Sequence, residues 1–509
     1  MWIRSSRWIR SSVFWLASVV LVIGLVLDVS SGAFAGAAET GSSASETDVK
    51  TAQTGGSKER TGGSVELNVS SSTPTMLADQ KSTNYARIEL KGGPSPDAAD
   101  APPINVAIVI DTSGSMSDKK IKQAKQAAKT AIQQLRDDDI ISVVLYSAKA
   151  NVLVPATKAV DREWIAKKID DIRADGNTAL FEGVTRAAAE VRKFLDDDAV
   201  NRVILLSDGK ANVGPSSPRD LARLGASLVK EGISVTTLGL GLGYNEDLMS
   251  KLASASSGNH VFIEEAEDLV AVFKTEFKDL LSVVAGDFKI RAQVGDSVRP
   301  VRVLGTDADI VGQQITIPLA QLYSRQSRYF IVELEVAASE ADAKLPLMQV
   351  DVSYKDLVDG KSHQLSEKTS VTFSDDPKLV QQRRDLETWA YCNVQLANEQ
   401  NQRACELRDA GKIDEAADLL KQISTNLKPI MLQCEAQGVT APIEEVRFAI
   451  DNNAVQAEWV KQSNWGLNRK KIQFFRSAAQ DNRIENYKAQ SGNQSNAPEP
   501  GSKMNKERQ

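Results

Sequence analysis

Two aspartates and three hydroxyl residues could carry chemistry in this sequence. Asp111, Ser113 and Ser115 follow an apolar stretch with D-x-S-x-S spacing, so alternate side chains of one tight loop converge. Asp208 follows another apolar stretch, and Thr178 lies just before a helical pattern. Carboxylate and hydroxyl oxygens are the ligands that hard divalent cations select. These five side chains are predicted to hold one divalent ion, with Mg²⁺ preferred and Mn²⁺ or Ca²⁺ as alternatives.

The surrounding pattern explains how these residues would meet. Short, nearly continuous apolar runs alternate with amphipathic helical patterns between residues 104 and 284; the runs are 106–110, 141–146, 203–206 and 235–238. Such runs are typical of strands buried on both faces of a parallel sheet, and the alternation predicts a doubly wound, Rossmann-like α/β domain. Ligands of such sheets bind beyond the carboxyl ends of the strands, where Asp111 and Asp208 fall.

The predicted ion would keep one coordination position open for another protein. Asp111 and Asp208 together neutralise only the ion's formal charge, so the bound ion should attract an Asp or Glu of a protein partner. The alternative is a degenerate domain that serves only as a scaffold. Metal binding is favoured because two buried carboxylates pointed at one place are costly without a cation.

Three fragments of the chain resemble the von Willebrand factor A family. They are IVIDTSGSM at 108–116, GNTAL at 176–180 and LLSDG at 205–209, in the family's order and each beside a predicted strand or helix end. The resemblance implies that the same five residues form a metal-ion-dependent adhesion site, and that the domain binds protein without catalysis. The flanking regions resemble bacterial secreted members of the family more loosely. One departure is Asn177, where a second glycine is common, but Asn tolerates left-handed conformations.

Asp118 raises the question of a second metal. It stands where integrin β-subunit domains use acidic residues for an adjacent ion. Here Lys119 and Lys120 follow it, so a helix-capping role is favoured over a further ligand.

Other features give little support for an enzyme. The glycine-rich segment 239–243 lacks a following Lys-Ser/Thr and precedes an acidic pair, so it predicts a turning loop rather than a phosphate cradle. The two histidines, His260 and His363, lie far apart, which leaves little material for a zinc site or a Ser/His/Asp triad. No H-E-x-x-H motif is present. Metal-assisted hydrolysis therefore stays a second hypothesis, without a base or nucleophile pattern.

The first 35 residues are expected to be a secretory signal peptide. Arg4, Arg7 and Arg10 form a basic start, an apolar run covers 13–27, and Ala33-Phe34-Ala35 is a small-x-small cleavage site. A retained anchor is the alternative, but the run is shorter than the roughly 20 residues of a spanning helix. The chain is thus predicted to be exported, to the periplasm, cell surface or extracellular space, with a mature part that does not span the membrane.

Composition and patterning divide the rest of the chain. A formal net charge of -6 over 509 residues argues against a nucleic-acid binder. Period-two alternation on either side of the α/β domain predicts strands of one β-sandwich, into which the α/β domain would be inserted. The expected divisions are a signal peptide at 1–35, a flexible linker at 36–63, N-terminal strands at 64–95, the von Willebrand factor A domain at 104–284, the sandwich at 285–375, a helical region at 377–480 and a disordered tail at 481–509.

The helical region offers a competing function. It could dock the chain onto a cell-envelope complex as a scaffold or regulatory subunit, with the metal site secondary. Its three cysteines, Cys392, Cys405 and Cys434, are the only ones in the chain. They suggest either one disulfide with a thiol left over or three small buried side chains.

Overall fold

The computed structural model describes residues 60–94 and 101–483. Its strands are, in chain order, β1 (Arg60–Gly62), β2 (Val65–Ser71), β3 (Thr75–Leu77), β4 (Ser82–Gly92), β5 (Ile104–Asp111), β6 (Ile140–Tyr146), β7 (Ala150–Lys158), β8 (Val200–Ser207), β9 (Ser234–Leu240), β10 (His260–Ile263), β11 (Val283–Val294), β12 (Val298–Leu304), β13 (Asp309–Val311), β14 (Gln314–Ile317), β15 (Gln321–Tyr323), β16 (Ser327–Val336), β17 (Lys344–Asp356) and β18 (Ser362–Ser374). The predicted signal peptide lies outside the described residues.

The helices divide between the α/β region and the C-terminal part. They are α1 (Lys119–Ile132), α2 (Arg162–Asp170), α3 (Leu180–Val191), α4 (Pro218–Val229), α5 (Glu246–Ala255), α6 (Leu269–Leu280), α7 (Pro377–Gln382), α8 (Leu386–Asp409), α9 (Ile413–Ala436), α10 (Ile443–Trp459) and α11 (Trp465–Gln480). Among the residues described, no helix has both the length and the apolar character to cross a bilayer.

The α/β region is built on a six-stranded sheet in the order β10-β9-β8-β5-β6-β7. Only β7 runs antiparallel to its neighbour. Strands β5, β8 and β9 are buried along their whole length, as parallel strands covered by helices on both faces must be. Val106 lies between Ile141 of β6 and Arg202 of β8, so the strand ends line up at one edge. The predicted doubly wound α/β fold is confirmed.

Two further sheets share one apolar core beside the α/β region. One has the order β1-β2-β4-β16-β12 and the other β13-β14-β11-β17-β18-β3. Strand β4 precedes the α/β region and β16 follows it, yet Ala86 pairs with Val332 in a long antiparallel ladder. Apolar side chains of both sheets, among them Ile88 and Val350, belong to the same cluster. The predicted insertion of the α/β domain into a β-sandwich is therefore confirmed.

Two predicted boundaries are wrong by a few residues. Arg60–Gly62, expected in the flexible linker, form β1 and pair with residues 65–67 of β2, because the ladder satisfies their backbone groups. At the other end, Asp481 and Arg483 were expected in the disordered tail. Arg483 instead donates to the Asp279 carboxylate, and Arg328 lies 3.1 Å from Asp481. Residues 484–509 lie beyond the described part of the chain.

Helices α8, α9, α10 and α11 pack around one apolar cluster. The predicted helix stop at Ala410-Gly411-Lys412 separates α8 from α9, and Gly411 has the positive φ of 81° that such a turn requires. Cys392, Cys405 and Cys434 are all buried, unpaired thiols. Of the two alternatives for the cysteines, the structure has small buried side chains and no disulfide among them.

Candidate metal centre

Asp111 is the last residue of β5 and has no exposed surface. The backbone N–H of Ser113 donates to its Oδ1 at 2.8 Å, while the hydroxyls of Ser207 and Tyr146 donate to its Oδ2 at 2.9 and 3.2 Å. Burial raises the pKa of Asp111, against the lowering effect of the Ser113 and Ser207 hydrogen bonds, and the nearby charge of Asp208 raises it further. The carboxylate is thus fixed in orientation by neutral donors alone.

Asp208, directly after β8, is equally buried and lies beside the serines of the first loop. The hydroxyls of Ser113 and Ser115 share a hydrogen bond of 3.1 Å, and the Ser115 hydroxyl donates to Asp208 Oδ1 at 2.7 Å. The ammonium of Lys120, in the first turn of α1, contacts Asp208 Oδ2. The D-x-S-x-S loop and the second carboxylate therefore meet directly, as the sequence predicts.

Thr178 reaches the same place from a third loop. Its backbone N–H donates to Asn212 Oδ1 at 2.9 Å, which ties its loop to the segment after Asp208. A Cβ built on Gly209 would lie 3.2 Å from Thr178 Oγ1, 3.3 Å from Ser115 Oγ and 3.8 Å from Ser113 Oγ. Three hydroxyls from two loops therefore lie close to the place that a side chain at position 209 would occupy, and glycine leaves that place to them.

The residues present fit a hard divalent cation. Two carboxylates and three hydroxyls lie at the carboxyl edge of the sheet: at the end of β5 and in the loop after it, in the loop between α2 and α3, and directly after β8. The two aspartates are buried, whereas Ser115 is exposed, so a cation held here would face solvent on the serine side. Asp111, Ser113, Ser115, Thr178 and Asp208 could hold it, with Ser207 and Tyr146 orienting Asp111 from behind.

Sequence reasoning missed three side chains at this edge. Tyr146 and Ser207 end apolar runs with a polar group, a signal that could have been noticed beside Asp111. The sequence pattern shows Lys120 only as a neighbour of Asp118 and does not predict its contact with Asp208. The capping role predicted for Asp118 is wrong: its φ is 59°, outside the extended range of a capping residue, and its side chain makes no cap hydrogen bond.

The two histidines lie elsewhere. His260, in β10, is buried and hydrogen bonded to Thr237 Oγ1 at 2.9 Å, and His363, in β18, pairs with Asp359 at 2.9 Å. The glycine-rich segment 239–243 ends β9 and turns the chain toward α5, with Gly241 at a φ of 68°.

Comparison with known proteins identifies the class. Residues 105–275 match the family model described as von Willebrand factor type A domain. This chain therefore contains a von Willebrand factor A domain, carried in a larger protein with a β-sandwich and a helical region.

Three curated relatives match parts of the chain. An uncharacterised protein of Escherichia coli K12, YfbK, is 29% identical over 38% of this chain and 34% of its own length. The uncharacterised protein sll0103 of Synechocystis is 26% identical over 53% of this chain and 66% of its own length. Human inter-alpha-trypsin inhibitor heavy chain H2 is 32% identical over 32% of this chain and 18% of its own length. Each match spans less than two thirds of the relative.

Two solved structures share the fold over most of the chain. A von Willebrand factor type A protein from Catenulispora acidiphila superposes with a TM-score of 0.61 and 18% identity, covering 77% of this chain and 90% of that one. The ArnB paralog VWA2 from Sulfolobus acidocaldarius gives a TM-score of 0.57 and 18% identity, covering 82% and 99%. At this identity the similarity concerns the fold alone.

Proposed function

We propose that this protein is an exported, non-catalytic binding module that engages an acidic residue of a partner protein through a divalent cation, Mg²⁺ in the first place. Adhesion and complex assembly are the two settings for such a module. The observation that carries the proposal is the convergence around Gly209: the hydroxyls of Thr178, Ser115 and Ser113 lie within 3.8 Å of one point, beside the buried carboxylate of Asp208.

The chemistry of binding follows from this donor set. A bound divalent ion would supply a Lewis-acidic position for a partner's carboxylate. Asp111 is kept from rotating by three neutral donors, and Ser115 offers its hydroxyl at the exposed side. The residues that hydrogen-bond the two aspartates are hydroxyls, a backbone N–H and one ammonium, which favours holding a ligand over moving its protons.

The architecture offers a route by which binding could reorient the sandwich. We propose that α6 transmits the change. Lys119, just after the serine loop, pairs with Glu267 in the turn before α6. Helix α6 ends at Leu280, and β11 of the sandwich begins at Val283. A shift of the helix would therefore move the start of β11.

Replacing Asp111 tests the role of the ion. The full mature chain, its Asp111→Ala variant and the control Asp197→Ala, an exposed turn residue, are titrated with Mg²⁺ by calorimetry. Binding should be lost in Asp111→Ala and kept in the control. In pull-downs from the native envelope, EDTA and Asp111→Ala should each abolish capture of the partner. Equal Mg²⁺ affinity in all three proteins would reject the proposed role.

Export is a separate part of the proposal, supported by the pattern of the first 35 residues. Expression of the full chain in a bacterial host should yield a protein outside the cytoplasm whose mass corresponds to a start near Gly36. A chain that keeps its first residues and fractionates with the cytoplasm would contradict it.

A docking role for the helical region is the second candidate. Leu432 on α9 and Val455 on α10 are large apolar side chains that are 59% and 47% exposed. If the surface around Leu432 recruits the partner, Leu432→Asp in the full chain should abolish capture that EDTA leaves intact. Under the metal-dependent proposal, EDTA removes capture and Leu432→Asp does not.

A further inference from the structure

Lys120 holds an unusual position beside the two buried aspartates. Its ammonium contacts Oδ2 of Asp208, a carboxylate with no exposed surface, while its own side chain is 35% exposed. The three groups that donate hydrogen bonds to Asp111 are all neutral: the Ser113 backbone N–H and the hydroxyls of Ser207 and Tyr146. Among the ion pairs of the described residues, Lys120 is therefore the one cation that faces either carboxylate.

The helix itself does not account for this lysine. The first turn of α1 begins with Lys119 and Lys120 and contains no acidic residue. Positive side chains are disfavoured at a helix N-terminus, where the backbone dipole is already positive. Contact with Asp208 offsets that disadvantage, because a buried carboxylate without a counter-charge is costly.

Asp208 has one oxygen for each neighbour. Oδ1 accepts the hydroxyl hydrogen of Ser115, and Oδ2 faces Lys120. The Ser115 hydroxyl, one of the three near Gly209, thus lies on the Oδ1 side, so a cation bound beside it would share the Asp208 carboxylate with Lys120.

We propose that Lys120 is an internal counter-cation that weakens the binding of the divalent ion alone and makes ion binding and carboxylate binding depend on each other. This inference rests on the proposed function and names a determinant of the same site. It also narrows the class of partner. The bound segment must supply a carboxylate, whose negative charge neutralises the positive charge of the ion-bound site.

The charges of the site give the reason. The formal charges of the two aspartates and Lys120 sum to -1 without the ion. The net charge becomes +1 when a divalent ion binds, and 0 when a partner's carboxylate binds to that ion. Without Lys120 the same three states would sum to -2, 0 and -1. Lys120 therefore raises the free energy of the state in which the site holds only the ion. It lowers the free energy of the state that holds both the ion and the partner's carboxylate.

A substitution of the lysine separates this role from simple anchoring. Lys120→Met in the full chain should lower the dissociation constant for Mg²⁺, measured by calorimetry with Mg²⁺ as the only ligand, by about tenfold, equal to about 1.4 kcal/mol. The control is Lys122→Met, an exposed lysine on the same helix, which should leave the constant unchanged. An unchanged or raised constant for Lys120→Met would overturn the proposal, since a lysine that only orients Asp208 would weaken Mg²⁺ binding when removed.

A second measurement does not depend on the affinity. In EDTA, Lys120→Met should melt at a lower temperature than Lys122→Met, because Asp208 loses its counter-charge, and saturating Mg²⁺ should stabilise it more than the wild type. Equal melting temperatures of the two variants in EDTA would contradict the counter-cation role. Failure of the proposed function is distinguishable: wild type and Asp111→Ala would then bind Mg²⁺ equally, whatever the Lys120 variant does.

Discussion

Gly243 lies against the backbone of Asp208 so closely that a Cβ at position 243 would be 2.4 Å from the Asp208 carbonyl oxygen. The loop between β9 and α5 therefore supports the second carboxylate of the candidate site from the neighbouring strand. The glycine-rich segment, which the sequence interprets as a turning loop, has a packing role at this edge.

Gly243→Ala should weaken Mg²⁺ binding by about tenfold or more, since the added methyl group must displace the backbone of Asp208 and with it the carboxylate. Calorimetric titration of the full chain measures the change. Leu242→Ala is the matched control, because this neighbouring side chain is 59% exposed and its removal leaves the backbone contact intact. Wild-type affinity in Gly243→Ala would show that Asp208 tolerates the shift.

Helix α11 contacts the end of the same loop and the first residues of α5. Lys470 donates to the Tyr244 carbonyl oxygen at 2.7 Å, and its ammonium lies 3.9 Å from the centre of the Tyr244 ring. Arg469 contacts Glu246 at 2.6 Å and Asp247 at 2.8 Å. Burial alone would lower the pKa of Arg469, but the hydrogen bonds and charges of Asp247 and Glu246 outweigh it and raise the pKa.

Arg469→Met should cost about 2 kcal/mol of unfolding free energy, because it leaves Glu246 and Asp247 without this partner where the helical region meets the α/β domain. Urea unfolding of the full chain measures the loss. The control is Arg403→Met: Arg403 forms an exposed pair with Glu406, and its removal should change the stability by at most about 0.5 kcal/mol. Equal effects of both variants would mean that the Arg469 cluster adds no more than a surface pair.

Acid should destabilise the protein through His260. Burial, followed by the charge of Lys470, lowers the pKa of His260 from 6.5 to about 4. His260 therefore binds a proton near pH 6.5 in the unfolded chain, but only near pH 4 in the folded chain. Stability is fully present above pH 6.5 and falls as the pH drops toward 4, by roughly 3 kcal/mol in total.

Replacement of His260 isolates this effect. Between pH 6.5 and 5, His260→Gln should flatten the decline of unfolding free energy relative to the wild type. The other histidine of the chain, His363, is present in both proteins, so it does not alter the comparison. An undiminished slope in His260→Gln would contradict the assignment.

The cysteines should behave as protected thiols. Burial raises the pKa of Cys392, Cys405 and Cys434, and that of Cys405 reaches about 12. Alkylation in denaturant without reductant should therefore label all three residues, while the native protein should react slowly at each. Mass spectrometry counts the labels. A pair that is labelled only after reduction would reveal a disulfide.

Local patterns in the sequence determined the class of fold and the five candidate ligands. The apolar runs report strands buried on both faces, and the D-x-S-x-S spacing places Asp111, Ser113 and Ser115 on one loop without help from the rest of the chain. That Asp208 reaches the same edge follows from the rule that parallel strands end together, whereas Thr178, in the loop between α2 and α3, is predicted there from the family resemblance. Strand alternation likewise predicted that β4 joins a sandwich with strands that follow the α/β domain.

Only the tertiary structure decided which groups surround those ligands. Lys120 and Asp208 are 88 positions apart, and their contact depends on how the start of α1 is placed against the residue that follows β8. The contact of Lys470 in α11 with Tyr244, and that of Arg483 with Asp279, depend on where the C-terminal part of the chain packs. No periodicity in the sequence encodes such contacts, because burial patterns specify which face of an element is apolar but not which neighbour covers it.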